Sequence, residues 1–340
     1  MGDLIGHAWA DTLLRRHIAS GQARHAYLIT GADGVGKRTL ARRMVQAWGC
    51  TRPPGAGQAC GVCRFCKGVE AGAFPDLHIL GPEESGGSLR IEAVRELERQ
   101  LALSPYEARG RAGILESFHL ASEGAANALL KTLEEPPPHT LLILTAISAE
   151  DLLPTIVSRC EVIRLRPVPR PDIERALIAE GATPEEAAAL AEAAEGRPGW
   201  ALRQWRDAPR RQARKRSLGE LNDLLHAGRS DRLVHAEKLV ARWKDLDSYD
   251  EKRKALLEYL EPWSAALRSS MRQALGVAGA AAGPWRIKPS DAPGWIRGMR
   301  ALEHTADAVR RNAHLQLTLE SMLLDLPTLE EETTPVRASN

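Results

Sequence analysis

Up to about Leu165, short apolar runs alternate with stretches of helical periodicity; beyond it the periodicity is helical throughout. His25-Ala26-Tyr27-Leu28-Ile29-Thr30, Leu77-His78-Ile79-Leu80, Gly113-Ile114-Leu115 and Leu141-Leu142-Ile143-Leu144-Thr145 have the length and continuous apolar character of buried strands. Strands that alternate with helices predict an α/β fold, a parallel sheet covered on both faces. Arg166-Pro167-Val168-Pro169-Arg170-Pro171 then breaks the pattern, because proline fixes its own φ and disfavours helix in the residue before it.

A small helical region follows, with Thr183-Pro184-Glu185-Glu186 as a helix start: a capping hydroxyl, proline at the first position and a carboxylate at the third. The basic stretch Arg203 to Arg216 reads as a solvated helix face. From Ser217 to Leu326 the pattern is helical, interrupted by the Gly-, Ala- and Pro-rich segment Gly276 to Gly294. The expected division is a sheet domain over 1–166, a helical lid over 167–212, a helical domain over 213–328 and a flexible tail over 329–340. Tryptophans such as Trp200, Trp205, Trp243, Trp263, Trp285 and Trp295 are scattered through helical sequence, which favours core or subunit-contact packing over base stacking.

At 340 residues the chain is long enough for two or three domains with real cores. Its net charge of +2 argues against a chain that binds nucleic acid through overall charge. No long uninterrupted apolar run appears, and the N-terminus lacks the order of a signal peptide, so a cytoplasmic protein with no membrane partner is expected.

The first predicted strand runs into Gly31-Ala32-Asp33-Gly34-Val35-Gly36-Lys37-Arg38-Thr39 and then a helix. Gly31, Gly34 and Gly36 stand where backbone N–H groups cradle phosphates at a helix N-terminus, and Lys37 can reach the terminal phosphates. The alternative, a glycine turn that only packs, leaves Lys37 and the strand-loop-helix context unexplained. The residue after the lysine should carry a hydroxyl for magnesium, yet it is Arg38; Thr39 lies one position on, about 100° further round the helix. An ATPase also needs carboxylates at the end of a nearby strand. Gly113-Ile114-Leu115-Glu116-Ser117 offers only Glu116, followed by Ser117, which is too weak a base to activate water unaided. Glu134-Glu135 does not form a catalytic pair, since adjacent helix positions do not face one another and prolines follow.

Four of the five cysteines fall in Cys50, Cys60, Cys63 and Cys66, a C-x9-C-x2-C-x2-C pattern. In a reducing compartment this spacing points to metal rather than disulfides. Four thiolates make a closed tetrahedral zinc site with no position for a catalytic water, hence a structural one. His78 is not needed to complete the set, and Cys160 reads as a small packed residue.

The segment Asn127-Ala128-Leu129-Leu130-Lys131-Thr132-Leu133-Glu134-Glu135-Pro136-Pro137 closely resembles one found in bacterial DNA polymerase III clamp-loader subunits, of the AAA+ ATPase family. Ser158-Arg159-Cys160 is similar to that family's Ser-Arg-Cys motif, and the four-cysteine spacing (50–66) to its zinc module. The resemblance covers Asp3 to Leu165. It implies a P-loop AAA+ type sheet domain with an inserted zinc module, a helical lid and a C-terminal helical collar for hetero-oligomerisation. It also implies that Arg159 meets ATP on a neighbouring subunit.

The departures bear on activity. Arg38 and Ser117 replace family site residues, Glu116 stands where the first acid would be, and Gly199 in Gly196-Arg197-Pro198-Gly199-Trp200-Ala201-Leu202 stands where a nucleotide-sensing arginine is expected. The resemblance therefore implies a non-hydrolysing member whose own ATP binding is weak or absent. Its partners would be delta and gamma/tau subunits, with primed DNA and the sliding clamp reached through the assembly. The alternative is an ATP-hydrolysing gamma/tau-type motor in which Glu116 and Thr39 act in altered geometry.

Overall fold

The computed structural model describes residues 4–82, 88–277, 284–285 and 287–329. The chain divides into two compact units, one of residues 1–179 with 194–201, the other of residues 180–193 with 202–340. The expected tail lies outside the described residues except for Leu329, and so does much of Gly276 to Gly294.

The first unit is built on five parallel strands, β1 (Ala26–Thr30), β2 (Leu77–Leu80), β3 (Arg111–Leu115), β4 (Thr140–Ala146) and β5 (Glu161–Arg164), in the order β2-β3-β4-β1-β5. Leu28 stands opposite Leu144 and Val162, and Ile114 opposite Ile79 and Ile143. Every residue of β1, β3 and β4 is buried, as central parallel strands require, whereas the edge strands β2 and β5 are partly open. The four strands expected from sequence are present. β5 is additional: Glu161-Val162-Ile163-Arg164 is short and charged at both ends, and pairing with β1 supplies what its composition lacks.

Helices α1 (Ala8–Ala19), α2 (Lys37–Gly49), α3 (Arg64–Ala71), α4 (Ile91–Leu101), α5 (Glu123–Glu134), α6 (Pro154–Val157) and α7 (Arg170–Ala179) complete this unit. One apolar core joins α1, α2 and α3 to one side of the sheet through Leu14, Leu40, Met44 and Phe65. A second joins α4 and α5 through Leu97, Leu101, Leu129 and Leu133. The sheet is thus packed on both faces, which explains why its central strands carry no polar alternation.

The second unit contains α8 (Pro184–Ala194), most of α9 (Pro198–Arg206), α10 (Ala208–His226), α11 (Arg229–Ala241), α12 (Tyr249–Ala274), α13 (Ala292–Arg310) and α14 (Leu315–Asp325). The start of α8 is a reciprocal cap: Thr183 Oγ1 accepts from the Glu186 N–H, and Glu186 Oε2 accepts from the Thr183 N–H. Trp263, Trp285 and Trp295 lie buried in the core. Pro262 removes a backbone bond inside α12, and beside it the Ser217 hydroxyl donates to the Tyr259 carbonyl while Trp263 Nε1 donates to Ser217. Along the basic stretch, Arg206 pairs with Glu180, Arg210 with Asp207, and Arg211 stacks over the Trp205 ring, so these charges are engaged locally. Among the described residues no helix is long and apolar enough to cross a membrane.

Candidate nucleotide loop and metal centre

The carboxyl ends of β1 and β3 converge on the first candidate site. After β1 the chain turns through Gly31, Gly34 and Gly36 with φ of 144°, 81° and 122°, conformations that carry no Cβ penalty only in glycine. Gly36 is the N-cap of α2, and Lys37 is its first residue. The Gly31 N–H is tied to the end of β4 through the Ala146 and Ile147 carbonyls. Lys37 is nearly buried, and its ammonium donates to Gly31 O at 2.5 Å, to Ala32 O at 3.1 Å and to Asp33 Oδ1 at 3.1 Å. The lysine therefore lies folded back along its own loop.

Arg38 follows, and its Nη2 stands 2.6 Å from Glu116 Oε2. Glu116 extends β3 by one bond, its N–H donating to Leu80 O, and its side chain is largely buried while that of Arg38 is exposed. Ser117 turns away in a left-handed conformation at φ 52°, fixed by its N–H donating to Thr145 Oγ1 at 2.9 Å. The structure thus brings Arg38 and Glu116 together, while Thr39, the next residue of α2, is half-buried.

Gly199, where a sensing arginine was expected by resemblance, lies on the loop itself: its N–H donates to Gly34 O at 2.7 Å. A Cβ there would approach Gly34 O to 2.9 Å, so a side chain at this position requires the backbone to shift. Two residues near the loop had no distinct sequence signal. Thr145 is one hydroxyl in an apolar run. His7 is buried beside the loop with Nε2 3.1 Å from Val35 O and, among the described residues, no partner for Nδ1. Burial lowers the His7 pKa, against the opposing pull of the Val35 carbonyl.

The second site is the cysteine cluster. Cys50 caps the C-terminus of α2, Cys63 caps the N-terminus of α3, Cys66 lies within α3, and Cys60 is in the intervening loop. Their four Sγ atoms all lie within 4.8 Å of one another, and those of Cys60 and Cys66 are 4.0 Å apart. Thiolates bound to one zinc at about 2.3 Å stand about 3.8 Å from each other, so the arrangement suits a single tetrahedral ion. Backbone N–H groups already point at the sulfurs: Cys60 N to Cys50, Cys63 N to Cys60 and Cys66 N to Cys63, at 3.3–3.4 Å.

Without metal these thiols share protons unevenly. Burial raises the Cys63 pKa, but the Cys66 and Thr51 N–H groups outweigh it and bring it to about 6; burial and then the neighbouring Cys63 push Cys66 up. The module is anchored below by Phe65 and Phe74 edge to face at 4.9 Å and by Gln46 Nε2 donating to Cys66 O.

Ser158, Arg159 and Cys160 lie between α6 and β5. The Arg159 guanidinium donates to Thr155 O at 2.9 Å, to Ser158 Oγ at 3.3 Å and to Glu134 Oε1 at 2.6 Å, with about a third of its side chain open to solvent (34%). Cys160 packs against the second core, and burial pushes its thiol up to about 12. It stands outside the cysteine cluster.

Residues 6–169 match the family described as DNA polymerase III, delta subunit. Among curated relatives, DNA polymerase III subunit delta' of Pseudomonas aeruginosa is 37% identical over 186 residues, 55% of this chain and 56% of that protein. The delta' subunit of Bacillus subtilis is 33% identical over 179 residues, 53% of each chain. DNA polymerase III subunit tau of Escherichia coli is 34% identical over 164 residues, 48% of this chain and 25% of that one. The chain spans about half the length of the delta' relatives it matches. A gamma subunit-related protein of Thermotoga maritima shares the fold, with a TM-score of 0.53 at 19% identity, covering 93% of this chain and 97% of that one. Over residues 6–169, which hold the sheet, the loop and the cysteine module, the chain is similar to the DNA polymerase III delta family and to curated delta' subunits.

Proposed function

We propose that this chain is a non-hydrolysing stator of a clamp loader, contacting delta and supplying Arg159 to the ATP site of a neighbouring gamma/tau subunit. The assembly would then open the sliding clamp and place it on primed DNA. The observation that carries the reading is the state of Arg159. Its guanidinium is oriented by three acceptors yet partly open to solvent. Its planar fork and permanent charge suit a phosphoryl group presented from outside the chain.

Three features support the absence of turnover in the chain's own loop: Arg38 paired with Glu116, Ser117 in place of a second acid, and Gly199 bonded to the loop carbonyl. On this reading ATP binding here is weak or absent, the cysteine cluster holds a structural zinc, residues 167–212 form the lid and residues 213–328 the oligomerising collar. The test is reconstitution of the loader with wild-type or Arg159→Ala chain at matched assembly, following DNA-stimulated ATP turnover and clamp loading. Loss of both supports the role, and unchanged rates remove Arg159 from the mechanism.

A further inference from the structure

Magnesium is the ion a phosphate loop of this type implies, and the residues at this loop do not fit it. A magnesium site needs oxygen ligands in near-octahedral geometry. Arg38, at the position expected for the hydroxyl ligand, has only N–H donors and no lone pair for a metal. The one acid at the end of β3, Glu116, is almost buried, and Oε2 is already engaged by that guanidinium at 2.6 Å. Asp33, the exposed acid within the loop, places Oδ1 3.1 Å from the Lys37 ammonium. Ser117 contributes no second carboxylate and is turned into the left-handed region.

We propose that the Arg38–Glu116 ion pair stands in place of the divalent cation: the loop excludes magnesium, and the guanidinium supplies the positive charge that a metal would bring beside a nucleotide's terminal phosphates. A cation entering beside Glu116 would meet a fixed positive charge within contact distance, and the carboxylate that should attract it is already neutralised. Arg38 is the second residue of α2, so its charge adds to that of Lys37 and of the helix N-terminus on one side of the loop. The missing hydroxyl then has a local cause, because its place in the metal site is held by a side chain that already brings positive charge to Glu116. The proposal rests on reading residues 31–39 as a nucleotide loop, and it is independent of Arg159.

The test is manganese binding by the full chain, read by electron paramagnetic resonance with ADP as the probe nucleotide and protein in excess. The wild type is expected to retain no manganese beyond what free ADP holds, and Glu116→Gln to change nothing. Arg38→Thr is expected to retain manganese with ADP at least about tenfold more tightly, a gain removed by adding Glu116→Gln. Arg38→Ser repeats the test with a smaller hydroxyl. Wild-type manganese binding that Glu116→Gln abolishes would overturn the proposal. So would hydroxyl variants no better than the wild type. Either failure would leave the role of Arg159, read in the reconstituted loader, untouched.

Discussion

The carboxylate of Glu134, the last residue of α5, meets the guanidinium of Arg159 at 2.6 Å across 25 residues of sequence. Because the pair is part-exposed, it contributes only about 0–1 kcal/mol to stability. Its consequence is orientation. Arg159→Ala is expected to leave the melting temperature nearly unchanged while lowering turnover at the adjacent ATP site of a reconstituted loader by roughly 10³-fold. Glu134→Gln should give a smaller loss in the same assay. Equal, negligible effects of both variants on turnover would reduce the pair to an ordinary surface contact.

One zinc per chain is expected by elemental analysis of protein purified without added metal. Chelation or Cys63→Ser should expose the segment between Cys50 and Cys66 to protease before any other part of the first unit, because metal binding and local folding are coupled. Substoichiometric zinc that cannot be restored, with four freely alkylated thiols, would contradict this.

Steady-state ATP turnover by the isolated chain is expected to be indistinguishable from the blank, with Lys37→Ala giving the same result. Magnesium-dependent hydrolysis that disappears in Lys37→Ala would instead favour a motor subunit.

Stability should fall on mild acidification. His7, His78 and His235 are each held below the ordinary value of 6.5, burial being the largest cause in all three. The unfolded chain therefore binds more protons below 6.5, so their contribution is undiminished above that pH and declines as pH drops toward the folded values. Asp76 adds a second loss further down. Burial raises its pKa, but the N–H groups of Tyr106, Glu107 and Ala108 outweigh that and hold it below 3.8, so its stabilisation is lost as pH falls from 3.8 through the folded value. Urea denaturation at successive pH values checks both, and a flat profile from pH 7 to 5 would exclude the histidine effect.

Arg232 is buried in the second unit and donates to the carbonyls of Leu224, Leu323, Leu326 and Pro327 at 2.6–3.1 Å. Arg232→Met should leave these acceptors unsatisfied and destabilise that unit by roughly 3 kcal/mol. Chemical denaturation followed by the fluorescence of Trp263, Trp285 and Trp295 would measure it, and a loss under about 0.5 kcal/mol would show that water replaces the guanidinium.

Much of this protein was legible from local pattern. The four apolar runs become β1 to β4 because strands buried on both faces must be apolar throughout, and Thr183 with Glu186 caps α8 because that geometry is set within four residues. The cysteine spacing likewise brings its sulfurs together, since the turns of Cys60, Cys63 and Cys66 are short. Relationships across the chain were not legible. Nothing in Glu161-Val162-Ile163-Arg164 marks a strand until β1 offers it a ladder, and neither Glu134 nor Thr145 carries a signal of the partner it meets. From sequence, Arg38 was a missing ligand and Glu116 a lone acid. Only the parallel sheet, which ends β3 near the start of α2, makes them a pair, because electrostatic pairing depends on distance in space and the sequence specifies that distance only through the fold.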